Sequence, residues 1–369
     1  MQTSIPAILM RGGTSRGLYF NKDDLPKERS RWDEIFLRAF GSPDARQIDG
    51  VGGTTSVTSK VCVVSPSNRE HVDVDYLFAQ VSVEEAKVDY GPTCGNMLAG
   101  IGPYALETGM VEAKNGETLV RIYQVNTDGL VEACVPTPNG QVECEGDVII
   151  DGVPGTGAPI ILNFSQVIGS HTGKLFPTDR KSELIGGIKL TLIDASMPVI
   201  IIRAETLGKT GYETISELNS DLTLLSQIEN IRCEAGKRMG LGDVSDKVVP
   251  KIILASSARE GGNISSRYFI PNKVHETHAI TGGIALAYAS HEPGTVVHGI
   301  ANRLQEDKRS LFSIEHPKGK LDLILTMEIG RKNSFIRAAG ITRTARMIMR
   351  GSILVPERLT NENLNTRSL

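Results

Sequence analysis

Residues 89–96 read Asp-Tyr-Gly-Pro-Thr-Cys-Gly-Asn and run into residues 97–107, a stretch of mostly small and apolar side chains. This order predicts the end of a strand, a turn that contains glycine, and then a buried helix that Pro103 should kink. Backbone N–H groups would be free at the start of that helix, around Cys94-Gly95-Asn96. The segment therefore places a candidate binding site at the start of a buried helix.

The same order recurs in the second half of the chain. Residues 267–270 predict a strand, a loop follows, and Ala279-Ile280-Thr281-Gly282-Gly283 opens a second helix, predicted at 281–290. We therefore predict two similar domains that face one another across a cleft, with the first boundary near residues 178–187.

Elsewhere the chain reads as short strands with few helices. Val- and Ile-rich or alternating patterns predict strands, and residues 30–40 predict an amphipathic helix. The predicted strands are 5–10, 56–64, 72–81, 119–125, 130–135 and 148–150 in the first half, and 188–192, 199–204, 251–255, 268–271, 321–327 and 338–346 in the second.

Length and composition limit the class of protein. A chain of 369 residues is long enough for two domains, and 40% apolar with 22% charged residues is ordinary for a globular protein. A net charge of −3 supports neither a nucleic-acid nor a membrane role, and no apolar run approaches the roughly 20 residues that span a bilayer. The first residues lack the pattern of a secretory signal, so we expect a cytoplasmic protein.

Several motifs of other protein classes fail on inspection. The five cysteines form no C-x-x-C pair, and residues 275–278 are not H-E-x-x-H, so neither a disulfide framework nor a metal site is expected. Residues 169–175 are one residue short of a Walker loop. Residues 13–17 match G-x-S-x-G, but the segment after them predicts a strand where a serine hydrolase needs a helix. We expect no cofactor.

Cys94, Gly95 and Asn96 are candidates for anion binding. Free N–H groups and the positive end of a helix dipole favour a carboxylate, and small residues let it come close. The same field would lower the pKa of Cys94 and favour a thiolate that accepts a proton. Alternatively, Cys94 only fills space at the start of the helix.

Lys60 lies in a predicted strand whose other residues are apolar or carry hydroxyls. Strand alternation would put Lys60 on one face with Thr58, Cys62 and Val64. A buried lysine loses its charge easily and can act as a base near neutral pH. The alternative is an ordinary lysine on an edge strand or in a salt bridge.

Two further segments could bind carboxylates. Arg11-Gly12-Gly13-Thr14-Ser15-Arg16-Gly17 joins a strand to a glycine-rich turn that carries hydroxyl and guanidinium groups. Arg267 lies on the strand before the second helix. A solvated turn and a surface arginine are the alternatives.

Taken together, these stretches resemble the PrpF family, which includes methylaconitate and aconitate isomerases, methylitaconate Δ-isomerases and 4-oxalomesaconate tautomerases. The matching stretches span nearly the whole chain: 10–17, 48–53, 58–61, 73–81, 94–97, 150–156 and 240–245. The resemblance implies an α+β, diaminopimelate-epimerase-like fold of two pseudo-symmetric domains. Each domain would have a mainly antiparallel sheet wrapped round a central helix, and the active site would lie in the cleft between them.

The resemblance also implies the domain limits and the chemistry. The N-terminal domain would cover 1–183, with 346–369 as a candidate segment to complete it, and the C-terminal domain would cover 184–345. The chain would be an isomerase without cofactor or metal that shifts a double bond in a small unsaturated di- or tricarboxylate. A homodimer is the candidate oligomeric state.

The family resemblance assigns roles to individual residues. Lys60 would be the main proton-transfer residue, and Cys94 would lie beside the substrate as a second acid/base or a positioning group. The substrate-binding residues would be Arg11, Gly12, Gly13, Thr14, Ser15, Ser59, Gly95, Asn96, Arg267, Thr281 and Gly282.

One departure and two alternatives bear on this hypothesis. Amino-acid epimerases of this fold use two opposed cysteines, and Thr281 stands where the second would be. A two-thiol racemase is therefore disfavoured, although an epimerase stays an alternative. So does a non-catalytic accessory protein that binds a tricarboxylate. The sequence does not select among the family's substrates.

Overall fold

The computed structural model of the chain describes residues 2–164, 168–302, 309–329 and 334–359. The chain forms two compact units: the first comprises residues 2–162 and 342–359, and the second lies within 163–341. Residue 183, the predicted end of the N-terminal domain, lies in the second unit. Among the described residues, no helix is long and apolar enough to cross a membrane.

The described part of the first unit consists mainly of strands, with three α-helices. In chain order its elements up to the boundary are β1 (Gln2–Gly12), β2 (Ser15–Asn21), α1 (Trp32–Phe40), β3 (Lys60–Pro66), β4 (Val74–Val81), β5 (Val88–Asp89), α2 (Gly95–Leu98), α3 (Ile101–Glu107), β6 (Gly116–Gln124), β7 (Gly129–Thr137) and β8 (Ile160–Phe164).

Most neighbouring strands of the first unit are antiparallel, and two pairs are parallel. β2 runs parallel to β3, and β4 runs parallel to β6 over a short stretch. The pairs β1–β2, β3–β4 and β6–β7 are antiparallel. Strand alternation gives β3 two faces, and both are buried. On one face, Val61 and Val63 pack in the core with Phe36 of α1. Lys60 and Cys62 therefore point to the opposite face.

That opposite face holds the two short helices. α2 contacts β1 and β2, whereas α3 contacts β6 and β7. The Tyr19 and Tyr104 rings, from β2 and α3, lie 5.7 Å apart between centroids. Residues 101–106 of α3 are all buried, as predicted for a central helix.

The second unit repeats this style and adds a long helix. Its elements are β9 (Glu183–Ile185), β10 (Ile188–Asp194), β11 (Pro198–Arg203), α4 (Ile215–Ser220), α5 (Leu222–Arg238), β12 (Lys251–Ser257), β13 (Ile264–Phe269), α6 (Ile280–His291), β14 (Arg309–His316), β15 (Gly319–Ile329) and β16 (Ser334–Arg343). A last strand, β17 (Ala345–Pro356), pairs antiparallel with β1 of the first unit.

Two helices of the second unit, α5 and α6, pack where their apolar side chains predict. Residues 282–290 of α6 are buried without a break, and α6 contacts β10, β11 and β15. Helix α5 buries Leu224, Ile228, Ile231 and Ala235, one helical face at spacings of three and four. Both units therefore combine a mixed, largely antiparallel sheet with a buried helix.

The strand predicted at 56–64 is wrong in its first part. Residues Ser56–Thr58 form a 3₁₀ turn in which Thr55 and Thr58 cap each other's backbone, and the strand begins at Lys60. Threonine side chains that bond nearby backbone groups compete with the strand ladder. Thr58 therefore does not share a strand face with Lys60.

The helix predicted at 97–107 is two helices, and its break is not at Pro103. A turn at Ala99 and Gly100, in which each N–H bonds the carbonyl three residues before it, separates the two helices, whereas Pro103 is the third residue of α3. A proline in the first turn removes an N–H that has no partner within the helix, so it causes no break there. Residues 148–150 form a single bridge, Val148 to Gly157, and the strand predicted at 268–271 ends at Phe269.

Candidate active site

Lys60 is a buried lysine at the start of β3. Its residue is 8% exposed, and its Nζ donates a 2.6 Å hydrogen bond to Oε1 of Gln80 on β4. The Nζ also lies 5.1 Å from the centroid of the Phe78 ring. β3 lies between β2 and β4, so Lys60 is not on an edge strand. Within the described residues, the contacts of its amine are a neutral amide and an aromatic ring, not a carboxylate.

Cys94 is the half-buried residue that precedes α2. Its carbonyl oxygen accepts from the Leu98 N–H at 2.9 Å, which closes the single turn of α2. Gly95 follows, and a Cβ placed there would meet nothing within 4 Å. The open space beside Gly95 is large enough for a small group to approach the main chain.

Two buried tyrosines support α2 from the sheet. The Tyr19 hydroxyl donates to the Met97 carbonyl at 2.6 Å, and the Tyr76 hydroxyl lies 3.5 Å from the Cys94 carbonyl. Burial raises the pKa of Tyr19, of Tyr76 and of the nearby Cys62 well above the usual values. These groups are therefore protonated at neutral pH, which makes Cys62 a poor candidate for a thiolate.

The predicted carboxylate-binding turn at 12–15 is a tight hairpin that packs on α2. The Gly13 N–H donates to the Thr344 carbonyl at 2.8 Å, so it is not free for a ligand. Gly13 has a φ of +49°, and a Cβ there would lie 2.3 Å from Oδ1 of Asn96. A Cβ on Gly12 would lie 2.4 Å from the Asn96 carbonyl oxygen. These glycines therefore allow the hairpin to approach Asn96 closely.

Asn96 and Thr14 complete this contact. Asn96 Nδ2 donates to the Thr14 hydroxyl at 2.9 Å, and Thr14 is exposed whereas Ser15 is buried. Of the predicted binding residues, the structure thus brings Gly12, Gly13, Thr14, Gly95 and Asn96 together beside Cys94.

Arg11 is held by the protein itself. Its Nη1 donates to the Gly13 carbonyl and to the Thr344 carbonyl and hydroxyl, at 2.9 to 3.1 Å. Arg11 lies opposite Arg16 on β2 and Arg346 on β17 in the strand register. Burial, and then the charge of Arg346, lowers the pKa of Arg11. The row of three guanidinium groups makes this part of the sheet strongly positive.

Ser59 is fully buried and serves the loop before β3. Its hydroxyl lies 3.0 Å from Oε1 of Gln47 and 2.9 Å from the Thr55 carbonyl oxygen. Both partners are acceptors within the protein, so the observed role of Ser59 is to anchor the segment that leads to Lys60.

The remaining predicted residues lie in the second unit. Arg267 is buried and donates from Nε to the Glu213 carbonyl at 2.8 Å and from Nη1 to the Ser266 carbonyl at 3.1 Å. Thr281 lies in the first turn of α6, with its hydroxyl 3.8 Å from the Met197 sulfur. A Cβ on Gly282 would lie 2.4 Å from the Tyr268 ring. Gly282 is thus required by the packing of α6.

Sequence reasoning missed Gln80, Tyr19 and His278. Gln80 lies near the end of the strand predicted at 72–81, but only the pairing of β3 with β4 shows that it faces Lys60. His278 is buried just before α6, its Nδ1 lies 2.9 Å from the Ala279 carbonyl, and burial lowers its pKa to about 4. Among the described residues, no group of three His, Cys, Asp or Glu side chains could hold a metal ion.

Known proteins resemble the chain over almost its full length. The chain is 46% identical to a 4-oxalomesaconate tautomerase of Pseudomonas putida, over 96% of this chain and 97% of that protein. It is 44% identical to a (4E)-oxalomesaconate Δ-isomerase of Novosphingobium, over 95% and 98%. The solved structure of a methylitaconate Δ-isomerase superposes with a TM-score of 0.84 at 32% identity, covering 98% of both chains.

The predicted α+β, diaminopimelate-epimerase-like fold is confirmed. The sequence model of the PrpF protein family matches residues 2–356. Because that match covers nearly the whole chain, and relatives above 40% identity span it as well, the chain belongs to the PrpF family.

Proposed function

We propose that this chain is an isomerase that moves a double bond in an unsaturated di- or tricarboxylate, with Lys60 as the main acid/base. The observation that carries the proposal is the buried amine of Lys60, held 2.6 Å from a neutral amide oxygen. Within the described residues its contacts are neutral, so no carboxylate occupies the amine, which leaves it available as an acid/base. The isomerases among its relatives support the same reaction class.

The reaction is a proton transfer within one molecule. The free amine of Lys60 would take a proton from an sp³ carbon of the substrate, which is acidified by an adjacent carboxylate or keto group. The electrons of the broken C–H bond would then delocalise into an enolate-like anion. A proton returns to the far end of the allylic system and leaves the double bond shifted by one position.

Cys94 is proposed as the second group at this centre. It would return the proton or hold the substrate, since its residue is half-buried beside the open space at Gly95. The backbone N–H groups of Gly95 and Asn96 at the start of α2, together with the guanidinium groups near the hairpin, would stabilise the anionic intermediate. A proton shift exchanges no electrons with an outside acceptor, so we propose a reaction that needs neither a cofactor nor a metal. We propose the cytoplasm as the place of the reaction.

The substrate we propose first is 4-oxalomesaconate. The two curated relatives at 46% and 44% identity are both named for it, whereas a 3-methylitaconate isomerase of Eubacterium barkeri is 35% identical. In this substrate a keto group would acidify the carbon that loses its proton, and return of the proton to the far carbon of the allylic system would leave the double bond conjugated with that keto group.

The test is proton NMR in D₂O with 4-oxalomesaconate, 2-methylaconitate, 3-methylitaconate and trans-aconitate in turn. We expect double-bond migration with deuterium uptake in 4-oxalomesaconate, and at least a 10³-fold loss in Lys60→Ala, on the order of what general acid–base catalysis contributes. Lys251→Ala is the matched control, because Lys251 is also a buried lysine that begins a strand. That variant should keep the activity.

Two results would contradict the proposal. If Lys60→Ala kept the wild-type rate, Lys60 would not be the base. If no substrate exchanged protons while a tricarboxylate still bound, the chain would be a binding protein rather than an isomerase.

A further inference from the structure

The side chain of Gln80 is fixed in one orientation by the backbone around it. Its Nε2 lies 3.0 Å from the Ser56 carbonyl oxygen and 2.9 Å from the Ser59 carbonyl oxygen. A third carbonyl, that of Val81, is 3.3 Å away. Carbonyl oxygens only accept hydrogen bonds, so the amide nitrogen must face them. Oε1 is then left pointing at Lys60.

The hydrogen bond from Lys60 therefore ends on an acceptor that cannot turn away. The two residues are directly opposite in the antiparallel register of β3 and β4. Side chains directly opposite in such a pair lie on one face and within reach of each other. Ser56 and Ser59 belong to the loop that precedes Lys60, so the loop, Gln80 and the amine form one connected network.

The acceptor is neutral, although an acid would fit the same place. A glutamate has the same length as glutamine, but its charge would stabilise the ammonium form of Lys60 and oppose its work as a base. In the strand register, Asp89 of β5 is the next residue in the row beyond Gln80, and its Oδ1 accepts from the Gly91 N–H at 2.9 Å. Gln80 thus separates the amine from this acid.

The other titratable groups around Lys60 come from neighbouring strands and from α2. Cys62 follows on β3, and Arg16 and Tyr19 flank the part of β2 that pairs with Lys60. Cys94 lies at the start of α2. Burial keeps Cys62 and Tyr19 protonated, as their raised pKa values show. A substitution that puts a carboxylate at residue 80 would therefore place a new negative charge in direct contact with the Lys60 amine.

We propose that Gln80 is a positioning residue, which aims the Lys60 amine at the substrate through a neutral acceptor and so leaves it free to lose its proton. This inference rests on the proposed role of Lys60 as the base. It assigns to Gln80 no contact with the substrate and no proton transfer.

The experiment compares Gln80→Glu with Gln80→Met. The rate constant kcat/KM is measured from pH 5 to pH 10 with the substrate that the wild-type protein converts. In Gln80→Glu the new charge favours the ammonium, so the acidic limb of the profile should move up by about one pH unit. The rate at pH 7 should fall about tenfold and recover at high pH. Gln80→Met adds no charge, so its rate should fall at every pH without that upward shift.

Gln141→Glu is the matched control for an added negative charge, because Gln141 is exposed on a loop of the same unit. Its pH profile should match that of the wild-type protein. If the Gln80→Glu and Gln80→Met profiles were both lowered in parallel, with no shift of the limb, Gln80 would be merely structural and the inference would be overturned.

A second readout does not depend on activity. NMR of protein labelled with ¹³C at the lysine Cε carbons follows the titration of Lys60, which is assigned by its loss in Lys60→Ala. We expect Gln80→Glu to move this titration to higher pH. If the wild-type protein turned over no substrate but the titration moved, the proposed function would fail and the pairing would stand. If the wild-type protein were active but the titration did not move, the inference about Gln80 would fail.

Discussion

The hydroxyl of Tyr19 donates a 2.6 Å hydrogen bond to the carbonyl oxygen of Met97, and both groups are buried. The bond ties strand β2 to the turn of helix that carries Cys94. Since Tyr19 is fully enclosed, its hydroxyl has no water to replace this partner. The bond therefore helps to fix the place of α2 against the sheet.

Replacing Tyr19 by phenylalanine should lower the free energy of unfolding by about 1 kcal/mol, the usual net value of one such bond. The loss stays modest because the Met97 carbonyl also accepts from the Gly100 N–H. We expect kcat to fall as well, since Cys94 would be held less firmly. Urea unfolding and steady-state kinetics check both effects.

Tyr123→Phe is the control for Tyr19→Phe, because the hydroxyl of Tyr123 bonds to Asp128 on the surface. We expect it to change stability by less than about 0.5 kcal/mol. Equal losses in the two variants would argue against a special role for the Tyr19 bond.

Two glycines beside Asn96 should differ in how much their replacement by alanine lowers stability. Gly13→Ala would strain a residue at a φ of +49° and push a Cβ to 2.3 Å from Asn96, so the free energy of unfolding should fall by about 1–3 kcal/mol. Gly95→Ala meets nothing within 4 Å and should leave stability within about 0.5 kcal/mol of wild type.

Gly95→Ala should nevertheless raise KM by about tenfold, equivalent to about 1.4 kcal/mol, because its methyl would occupy the space proposed for a carboxylate. Thermal unfolding and kinetics on both variants separate the two effects. An unchanged KM in a stable Gly95→Ala would remove Gly95 from the binding site.

The free energy of unfolding should depend on pH through Asp194, which bonds to the loop at residues 169–175. Burial would raise the pKa of this carboxyl, but hydrogen bonds from His171 and Thr172 outweigh it and hold the pKa below its usual value. The stability that Asp194 contributes is thus present above pH ~4 and is lost as pH falls through its lowered pKa.

His171 adds a second pH dependence of stability, with the opposite sign. Its Nδ1 lies 3.7 Å from Oδ1 of Asp194, and this carboxylate raises the pKa of the imidazole, so the contribution of His171 to stability is present below pH ~6.5 and is lost as pH rises through the raised value. The pair should therefore stabilise the protein most between about pH 4 and pH 6.5. Urea unfolding from pH 3 to pH 9 checks this, and Asp194→Asn should remove both pH dependences. Parallel profiles of Asp194→Asn and wild type would contradict it.

Arg232 should be among the most sensitive positions for stability. It is 1% exposed, pairs with Glu229, and donates at 2.8 Å to the Val244 carbonyl and at 3.1 Å to the Lys247 carbonyl. Arg232→Met leaves these buried groups without a donor and should lower the free energy of unfolding by about 3 kcal/mol.

Lys237→Met is the matched change on the exposed side of the same helix, α5, and should stay within about 0.5 kcal/mol of wild type in urea unfolding. A small effect of Arg232→Met would mean that water reaches the 244–247 loop and replaces the guanidinium.

Local patterns predicted much of the secondary structure. The alternation of residues 72–81 indicated β4, and the small apolar residues after Ala279 indicated α6. The long helix α5 was missed, although its apolar residues repeat at helical spacing from Leu224 to Ala235. The signal was present there, but the many polar residues between those positions hid it.

The candidate site was predicted in part. Motifs singled out Lys60 and Cys94, and the structure places Gly12, Gly13 and Asn96 in contact beside Cys94. Arg11, Ser59 and Arg267 bond to groups of the protein, which no spacing in the sequence could show. Their partners lie up to hundreds of residues away, as the contact of Arg11 with Thr344 illustrates.

The sequence by itself determined several helix starts, turns and strand patterns, because these features depend on neighbours a few residues apart. It therefore determined the two glycine-rich helix starts and a lysine in an apolar strand. Only the tertiary structure decided what faces that lysine. The register of β3 against β4 sets Gln80 opposite Lys60, and the carbonyls of Ser56 and Ser59 turn its amide. Strand register depends on contacts between distant segments that form only when the whole sheet is assembled.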